Sequence, residues 1–539
     1  MYDSCVIDRL KDWRFLSIAL IVLASILVYA QAIGFEFLLF DDELLIIDNP
    51  KIRGLSWAHL KQIFTTYDPE LYIPLTLLTH QIEYSLSGIN PVIYHTTNVV
   101  LHTCNAVLVF LVFTHLINKK TALIVALLFA VHPLNAEAVA WASARKDVLS
   151  SFFFLFSLHW YLTAKKKLSV FAFLCGLLSK VSIAPLPFVL LVIDWFKDRP
   201  PDRSNIKEKL PYFILAAVFV VIALLGKSAQ AAEPLIPVLL AFVSIPFYLL
   251  KLIVPTGLSI FYPFTDVVSI THPRVLIGAA ILVLITVATW KCRIRKKAPF
   301  AAWLFFLLMV APSLTNVVKG GDTGSYDLYF ASDRYVYLAG LGLLLLIGTW
   351  IKESKWVYWI PLVVLFGFLG YSQVGTWRNS ELLFRNATET QSNSHIAYNN
   401  LGGIMVQNKR YSEAIDLYEK SIGVKENPRA LFNLGKLYAV NGRLDEAIAL
   451  YERVLPYRPD DAEVYAQMGG WQLMKGRVNS ALSALQKANE LNPNVASVHY
   501  NLGLIYEHKG QQTEALREYK RVLELDPSDT QAQKKVGLL

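Results

Sequence analysis

The sequence predicts an all-α protein: a polytopic membrane helical bundle of about eleven spans, followed by a solenoid of helical repeats. Three observations predict it. Residues 1–375 are mostly long apolar runs separated by short polar loops, and a helix needs ~20 such residues to cross a bilayer. Residues 376–539 are charged and rich in Ala, Leu and Tyr, with no run of that length. Within this C-terminal region a single pattern returns every ~34 residues, the mark of stacked helical pairs. At 539 residues the chain is also too long for one ordinary domain. Two domains are expected, 1–376 in the membrane and 395–539 outside it.

Composition excludes several classes of function. The averages of 54% apolar and 17% charged residues conceal two unlike halves. A net charge of +9 would suit nucleic acid. Here, however, Lys and Arg cluster in short loops between apolar runs, as cytoplasmic loops require, so no nucleic-acid partner is expected. Cys5, Cys104, Cys175 and Cys292 all fall in the apolar half and form no CxxC. Neither a disulfide framework nor a zinc site follows from them; no cofactor is expected, and metal dependence is left open. The first apolar run, about 15–33, is long enough to span and has no A-x-A-like cleavage site after it, so it reads as a retained anchor.

Arg9, Lys11 and Arg14 precede that run and place the N-terminus on the cytoplasmic side. Residues 34–93 then form an external loop, with an interfacial helix around 55–64 anchored by Trp57. A second span covers about 94–117, and Lys119-Lys120 marks the return. A third reaches His132-Pro133, residues 135–147 are external, and a fourth ends at Lys165–Lys167. Two helices, 168–178 and 183–196, are separated at Ser179-Lys180. This puts Lys180 on the external side, before the basic internal loop 197–209. Helices follow at about 210–226 and 275–290, the latter ending at the basic stretch 291–297. A single crossing by 235–254 would break the alternation, and Pro234, Pro237, Pro246 and Pro255 punctuate it. A re-entrant or interfacial segment is therefore expected there. Spans near 299–316, 334–351 and 356–374, with Lys352 and Lys355 at the inner turn, deliver the C-terminal region to the external side.

The repeats begin with "YNNLGGIMVQNKRYSEAIDLYEKS" and "LFNLGKLYAVNGRLDEAIALYERV", and two more follow. Gly402, Gly435, Gly469 and Gly503 stand where the first helix of each pair meets the second. Ala414, Ala447, Ala481 and Ala515 face them, and Pro459, Pro493 and Pro527 close the units. Four units of this kind are tetratricopeptide repeats. These small residues are read as packing positions, and no catalytic constellation is seen among them.

The chemistry is expected in the external loops. Phe40-Asp41-Asp42-Glu43 sets three carboxylates just outside the first span, which is costly unless they have work to do. One Asp would suffice to cap a helix. At that depth a carboxylate can accept a proton from a hydroxyl, or hold a metal or a cationic substrate. The other external loops supply Glu137, Arg145, Lys146, Asp147, Lys180, Asp333 and Arg334. Acids and isolated cations around a hydrophobic slot suit a substrate with a phosphate head and a lipid tail. The acid would activate an acceptor hydroxyl, and the cations would stabilise the departing phosphate. His95, Asn98 and His102 share one helix face, where interhelical hydrogen bonds are favoured over a metal. His132-Pro133 reads as a helix-ending turn.

At these residues the membrane half resembles the GT-C superfamily of polyprenyl-phosphate-sugar glycosyltransferases. With its repeats the chain resembles the transmembrane-and-TPR protein O-mannosyltransferases. The matching stretches are Phe40-Asp41-Asp42, "LYIPLTLLTHQIEYSLSGINPVIYHTTNVVLH" (71–102), "HPLNAEAVAWASARKD" (132–147), "LLSK" (177–180) and "SDRYVYLAGLG" (332–342). The resemblance implies a membrane glycosyltransferase that moves a sugar, mannose or similar, from a polyprenyl-phosphate donor to Ser/Thr hydroxyls of an exported protein. It implies Asp41 and Asp42 as the catalytic acids with Glu137 as a second acid, and Lys180, Arg334 and Arg145 as donor phosphate ligands. The family carries Tyr-Arg-Pro where this chain has Tyr72-Ile73-Pro74, and an acid where Val181 follows the "LSK" lysine. The setting implied is a bacterial inner membrane with periplasmic repeats, or an endoplasmic-reticulum membrane with lumenal ones. Asn400, Asn433, Gln467 and Asn501 align at one position of the repeat. They are either ordinary solvated amides or a row that grips an acceptor peptide backbone, as in the TPR-bearing O-linked N-acetylglucosamine transferases. The competing function is a non-enzymatic, membrane-anchored scaffold for envelope protein assembly. A lipid-linked carrier would show internal symmetry of its spans, and none is seen.

Overall fold

The computed structural model describes residues 13–226, 235–319, 327–351 and 353–538. Cys5, Arg9, Lys11, Pro234 and Lys352 lie outside them. The chain divides into two compact units, one built from Met1–Val318 with Leu328–Gln391, the other from Ser392–Leu539 with Lys319–Asp327. The regular structure of the described residues is almost wholly helical. The exception is a small three-stranded sheet, in which Tyr262–Pro263 pairs antiparallel with Asp327–Ala331.

Some helices of the first unit start where the sequence supplies a cap. Asn90 and Asn118 accept from the N–H groups of Val92 and Thr121 to open Pro91–Phe113 and Lys119–Val131. Among the described residues, five helices are long and apolar enough to cross a membrane: Trp13–Gly34, Pro91–Phe113, Leu235–Ile253, Pro273–Cys292 and Lys355–Gly375. A bent pair, Lys119–Val131 with Pro133–Ala140, would make six. Four further apolar helices are shorter: Val181–Phe196, Leu210–Leu225, Ala298–Ser313 and Gly340–Trp350. At 1.5 Å per residue the shortest of these reaches about 16 Å, well under the hydrocarbon thickness of ~30 Å. Helix length alone therefore does not reach the expected eleven spans. Several helices turn large apolar side chains outward, among them Leu23 and Leu27 on the first, and Val283 and Leu284 on Pro273–Cys292. Lipid tails satisfy such faces.

Two elements differ from the sequence reading. Within the first external loop, Pro74–Ser87 forms a 14-residue helix, opened by Pro74 at its first turn. The second is 235–254, expected to be re-entrant or interfacial. Leu235–Ile253 is one continuous helix with Pro246 inside it. Pro246 has no N–H to give to the carbonyl of Phe242, and Gly278 of the neighbouring helix lies directly against that carbonyl. A Cβ on Gly278 would sit 1.9 Å from the Phe242 oxygen. Leu240 on the buried face packs with Phe264 and Val317, and the Leu252 carbonyl accepts from His132 Nε2 at 3.1 Å. Packing on both sides tolerates a proline that an isolated helix would not.

The second unit stacks four helical pairs: His395–Gln407 with Tyr411–Val424, Pro428–Val440 with Leu444–Val454, Ala462–Met474 with Val478–Leu491, and Ala496–His508 with Gln512–Leu525. A Cβ at Gly402, Gly435, Gly469 or Gly503 would come within 2.5–2.7 Å of Tyr418, Tyr451, Leu485 or Tyr519. Ala414, Ala447, Ala481 and Ala515 are fully buried. The turn inside each of the last three pairs uses a left-handed glycine, Gly442, Gly476 or Gly510. The first pair places Lys409 there, at φ 60°.

Candidate active site

The loop after the first helix returns beneath the 132–147 segment, and Asp42 fastens the two together. It is fully buried. One carboxylate oxygen accepts from the Leu38 N–H at 2.9 Å. The other accepts from the Ser143 N–H at 3.0 Å and from the Ser143 hydroxyl. Burial raises its carboxyl to about 6, against the pull of these hydrogen bonds. Both oxygens are thus occupied within the fold. Asp41, its neighbour, is half-buried. Among the described residues no side chain pairs with its carboxylate. It lies within electrostatic reach of Lys146 and Arg334.

Arg145-Lys146-Asp147 open the helix Arg145–Leu162. Successive helical residues point ~100° apart, so the three charges separate. Arg145 turns into the core and is fully enclosed. Its guanidinium meets Glu83 at 2.8 Å, Asn98 at 2.5 Å, Thr79 at 3.2 Å and the Tyr94 carbonyl at 2.7 Å. These partners correct its expected role as a phosphate ligand, because it ties three helices together instead. Lys146 donates to the Ser143 carbonyl at 3.0 Å and lies 5.8 Å from the Trp141 ring centroid. Burial lowers its ammonium to about 8, which Asp41 partly opposes. Asp147 pairs with Lys180 through Oδ1.

Glu137 is nearly fully buried. Its oxygens accept from the Ser332 hydroxyl at 2.8 Å, the Arg334 N–H at 3.0 Å and the Arg334 guanidinium. The same guanidinium lies 5.1 Å from the Trp141 ring centroid and 5.0 Å from that of Tyr335. Asp333 is held by the Tyr262 hydroxyl at 2.8 Å. Burial, then the nearby Glu137, pushes its carboxyl well above the usual range. Lys180 and Arg334 line one small cavity of about 40 Å³ together with Asp147, Ser182, Ser313 and Tyr335. Beside it an apolar groove of about 560 Å³ is lined by residues next in sequence to the cavity wall, including Val181, Leu308 and Pro312. Among the described residues the arrangement offers an unpaired carboxylate at Asp41, two cations converging on a cavity, and an apolar channel at its edge.

His102 and Asn98 make interhelical hydrogen bonds: His102 with the Tyr337 hydroxyl at 2.8 Å, and Asn98 donating to the Trp141 carbonyl at 2.9 Å. No group of three or more metal-ligating side chains occurs among the described residues. His132 ends its helix and accepts from the Leu134 N–H at 3.3 Å. Sequence reasoning gave Lys146 no role of its own, and it missed the pairing of Asp147 with Lys180. The signal available was three consecutive charges at the start of an apolar helix, which must face three different surroundings.

In the repeat unit the aligned amides lie on the first helix of each pair. Asn433 donates to Asn399 of the preceding pair at 3.1 Å, and Asn399 donates to Asn400 at 3.4 Å. Asn501 lies beside Gly470, where a Cβ would be 3.5 Å from its Nδ2. Gln467 is exposed.

These features define a helical membrane protein with a tetratricopeptide region. Residues 386–468, 473–510 and 496–529 match tetratricopeptide-repeat family models. The chain resembles the TMTC protein O-mannosyl-transferases. It is 35% identical over 157 residues to Protein O-mannosyl-transferase TMTC3 of Mus musculus, which is 27% of this chain and 17% of that protein. It is 24% identical over 443 residues to Protein O-mannosyl-transferase F38B6.6 of Caenorhabditis elegans, covering 75% of this chain and 62% of the nematode protein. The matches thus span about a sixth of the mouse protein and under two thirds of the nematode one. Among solved structures, YrrB, described as a TPR protein with an unusual peptide-binding site, is 25% identical. The match covers 32% of this chain and 88% of YrrB, with a TM-score of 0.28.

Proposed function

We propose that the chain is a protein O-glycosyltransferase that uses a polyprenyl-phosphate sugar, mannose or similar. Residues 1–376 carry the transfer and residues 395–539 hold the acceptor protein. The observation that carries this reading is the convergence of Lys180 and Arg334 on one cavity at the edge of an apolar groove. A polyprenyl tail suits the groove and its phosphate suits the two cations. The groove lies against outward-facing apolar helices, so the donor would enter from the membrane.

In this reaction Asp41 takes the proton of a Ser or Thr hydroxyl. The oxygen bonds to the anomeric carbon of the sugar as the bond from that carbon to the phosphate oxygen breaks. The electron pair leaves on the phosphate, where Lys180 and Arg334 stabilise it. Asp42 keeps the Asp41 loop in place, and Glu137 aims Arg334. Transfer takes place on the external side, periplasmic in a bacterium or lumenal in the endoplasmic reticulum. The supporting relatives carry the name O-mannosyl-transferase.

The test is transfer by purified protein from a panel of polyprenyl-phosphate sugars to an unfolded Ser/Thr-rich acceptor. At least one donor is expected to serve. Lys180→Gln and Arg334→Gln should each weaken donor binding without unfolding the protein. Transfer from none of the donors, by protein shown to be folded, would overturn the proposal.

A further inference from the structure

The carboxylates of the site differ in how fully they are used. Asp42 and Glu137 have partners on both oxygens. Asp147 has one on Oδ1 alone, Lys180. Its Oδ2 is buried and has no hydrogen-bond partner among the described residues. The nearest hydroxyls in sequence do not relieve it. Ser150 and Ser151 donate to the backbone carbonyl of Asp147, at 3.2 and 2.6 Å. A buried acceptor left unpaired costs about 1–3 kcal/mol, and more when charged. Asp147 lines the cavity that Lys180 and Arg334 share.

Whatever fills this cavity should therefore bring a donor group as well as an anion. A phosphodiester brings only acceptors. The next chemical group beyond the phosphate is the sugar, and its hydroxyls donate. We propose that Asp147 Oδ2 accepts a hydrogen bond from a hydroxyl of the donor sugar, so that the site distinguishes sugar-bearing polyprenyl phosphate from the bare lipid phosphate. This inference rests on the donor reading given above and adds the residue that reads the sugar. Lys180 holds the carboxylate from the other side, so Asp147 has little freedom to turn away.

The experiment measures dissociation constants for the full chain in nanodiscs. The probes are polyprenyl-phosphate-mannose, or the donor that the transfer assay selects, its monodeoxy analogues, and polyprenyl phosphate. In wild-type protein one monodeoxy donor is expected to bind roughly 10–100-fold more weakly than the parent, the worth of a hydrogen bond to a charged group. Asp147→Ala should reduce that ratio to within ~3-fold of unity, with Asp147→Asn between. Freeing Lys180 in these variants acts on every phosphate alike, so the ratio isolates the sugar contact. If the alanine variant fails to fold, the wild-type series still decides. Equal binding of all monodeoxy donors by wild type overturns the assignment, as does an unchanged ratio in folded Asp147→Ala. A requirement for a divalent cation that disappears in Asp147→Asn would give Oδ2 to a metal, and also overturns it. No binding of any polyprenyl-phosphate sugar by wild type would remove the donor reading itself, and this assignment with it.

Discussion

At the residue scale the two adjacent aspartates differ in their surroundings: Asp42 is buried with both oxygens occupied, and Asp41 is half-buried. Asp41→Asn is expected to lower transfer by ~10²–10⁴ with an unchanged melting temperature. Asp42→Ala releases Leu38 and Ser143, and should destabilise the membrane unit by about 1–3 kcal/mol. Asp42 also sets a pH dependence. Its carboxyl sits at about 6 in the fold, against an ordinary value of 3.8. Between these values the native state holds a proton that the unfolded chain has lost. Stability should therefore fall as pH rises from about 4 to about 6, by at most about 3 kcal/mol in total. Melting curves across that window check it, and Asp42→Asn should flatten the profile. The sequence showed these acids as a pair but not their roles, because a role is fixed by what returns to meet each one. Ser143 meets Asp42 from a distant stretch of the chain. Arg145 shows the same limit: a cation at a helix start looks like a phosphate ligand until Glu83 arrives from another helix.

At the element scale the repeats were legible because each pair buries the same small residues at the same spacing. The exception is informative. Lys409 holds a left-handed turn that glycine holds in the other three pairs, a conformation that costs a side-chain-bearing residue roughly 1–2 kcal/mol. Lys409→Gly should slow hydrogen exchange in the first pair. The gain is expected to be about 1 kcal/mol or less, since glycine also frees the unfolded chain. In the membrane unit, Gly278→Ala would drive a methyl group into the Phe242 carbonyl. A loss of about 1–3 kcal/mol in thermal or denaturant unfolding is expected. That contact explains why a continuous helix over 235–253 was not legible in the sequence. Prolines are visible in a sequence, but a glycine on another helix that accommodates them is not. The helix Pro74–Ser87 escaped for a different reason, since it lies in a polar loop and carries too few apolar residues to resemble a span.

At the scale of the whole molecule, the membrane class and the repeats follow from hydropathy and period, while the number of crossings does not. Several apolar helices are too short to be counted by length alone. A cysteine placed in the repeats is expected to label with an impermeant reagent on intact spheroplasts. Labelling only after lysis would put the repeats on the cytoplasmic side. Replacing Asn400, Asn433, Gln467 and Asn501 by Ala should raise the KM for a long protein acceptor and leave that for a short peptide unchanged. Equal effects on both acceptors would return the amides to ordinary solvated residues.

Lys180 and Arg334 each come with an acid of their own, Asp147 and Glu137. Such pairs project little field into the surroundings. Electrostatic steering of an anion from a distance needs unbalanced charge, and the site shows two neutralised cations instead. A lipid phosphate would feel them only on contact, after diffusing in the plane of the bilayer. The rate of donor capture should then vary little with ionic strength between about 50 and 500 mM salt, on the order of twofold at most, whereas a bare cationic pocket would slow steeply over the same range.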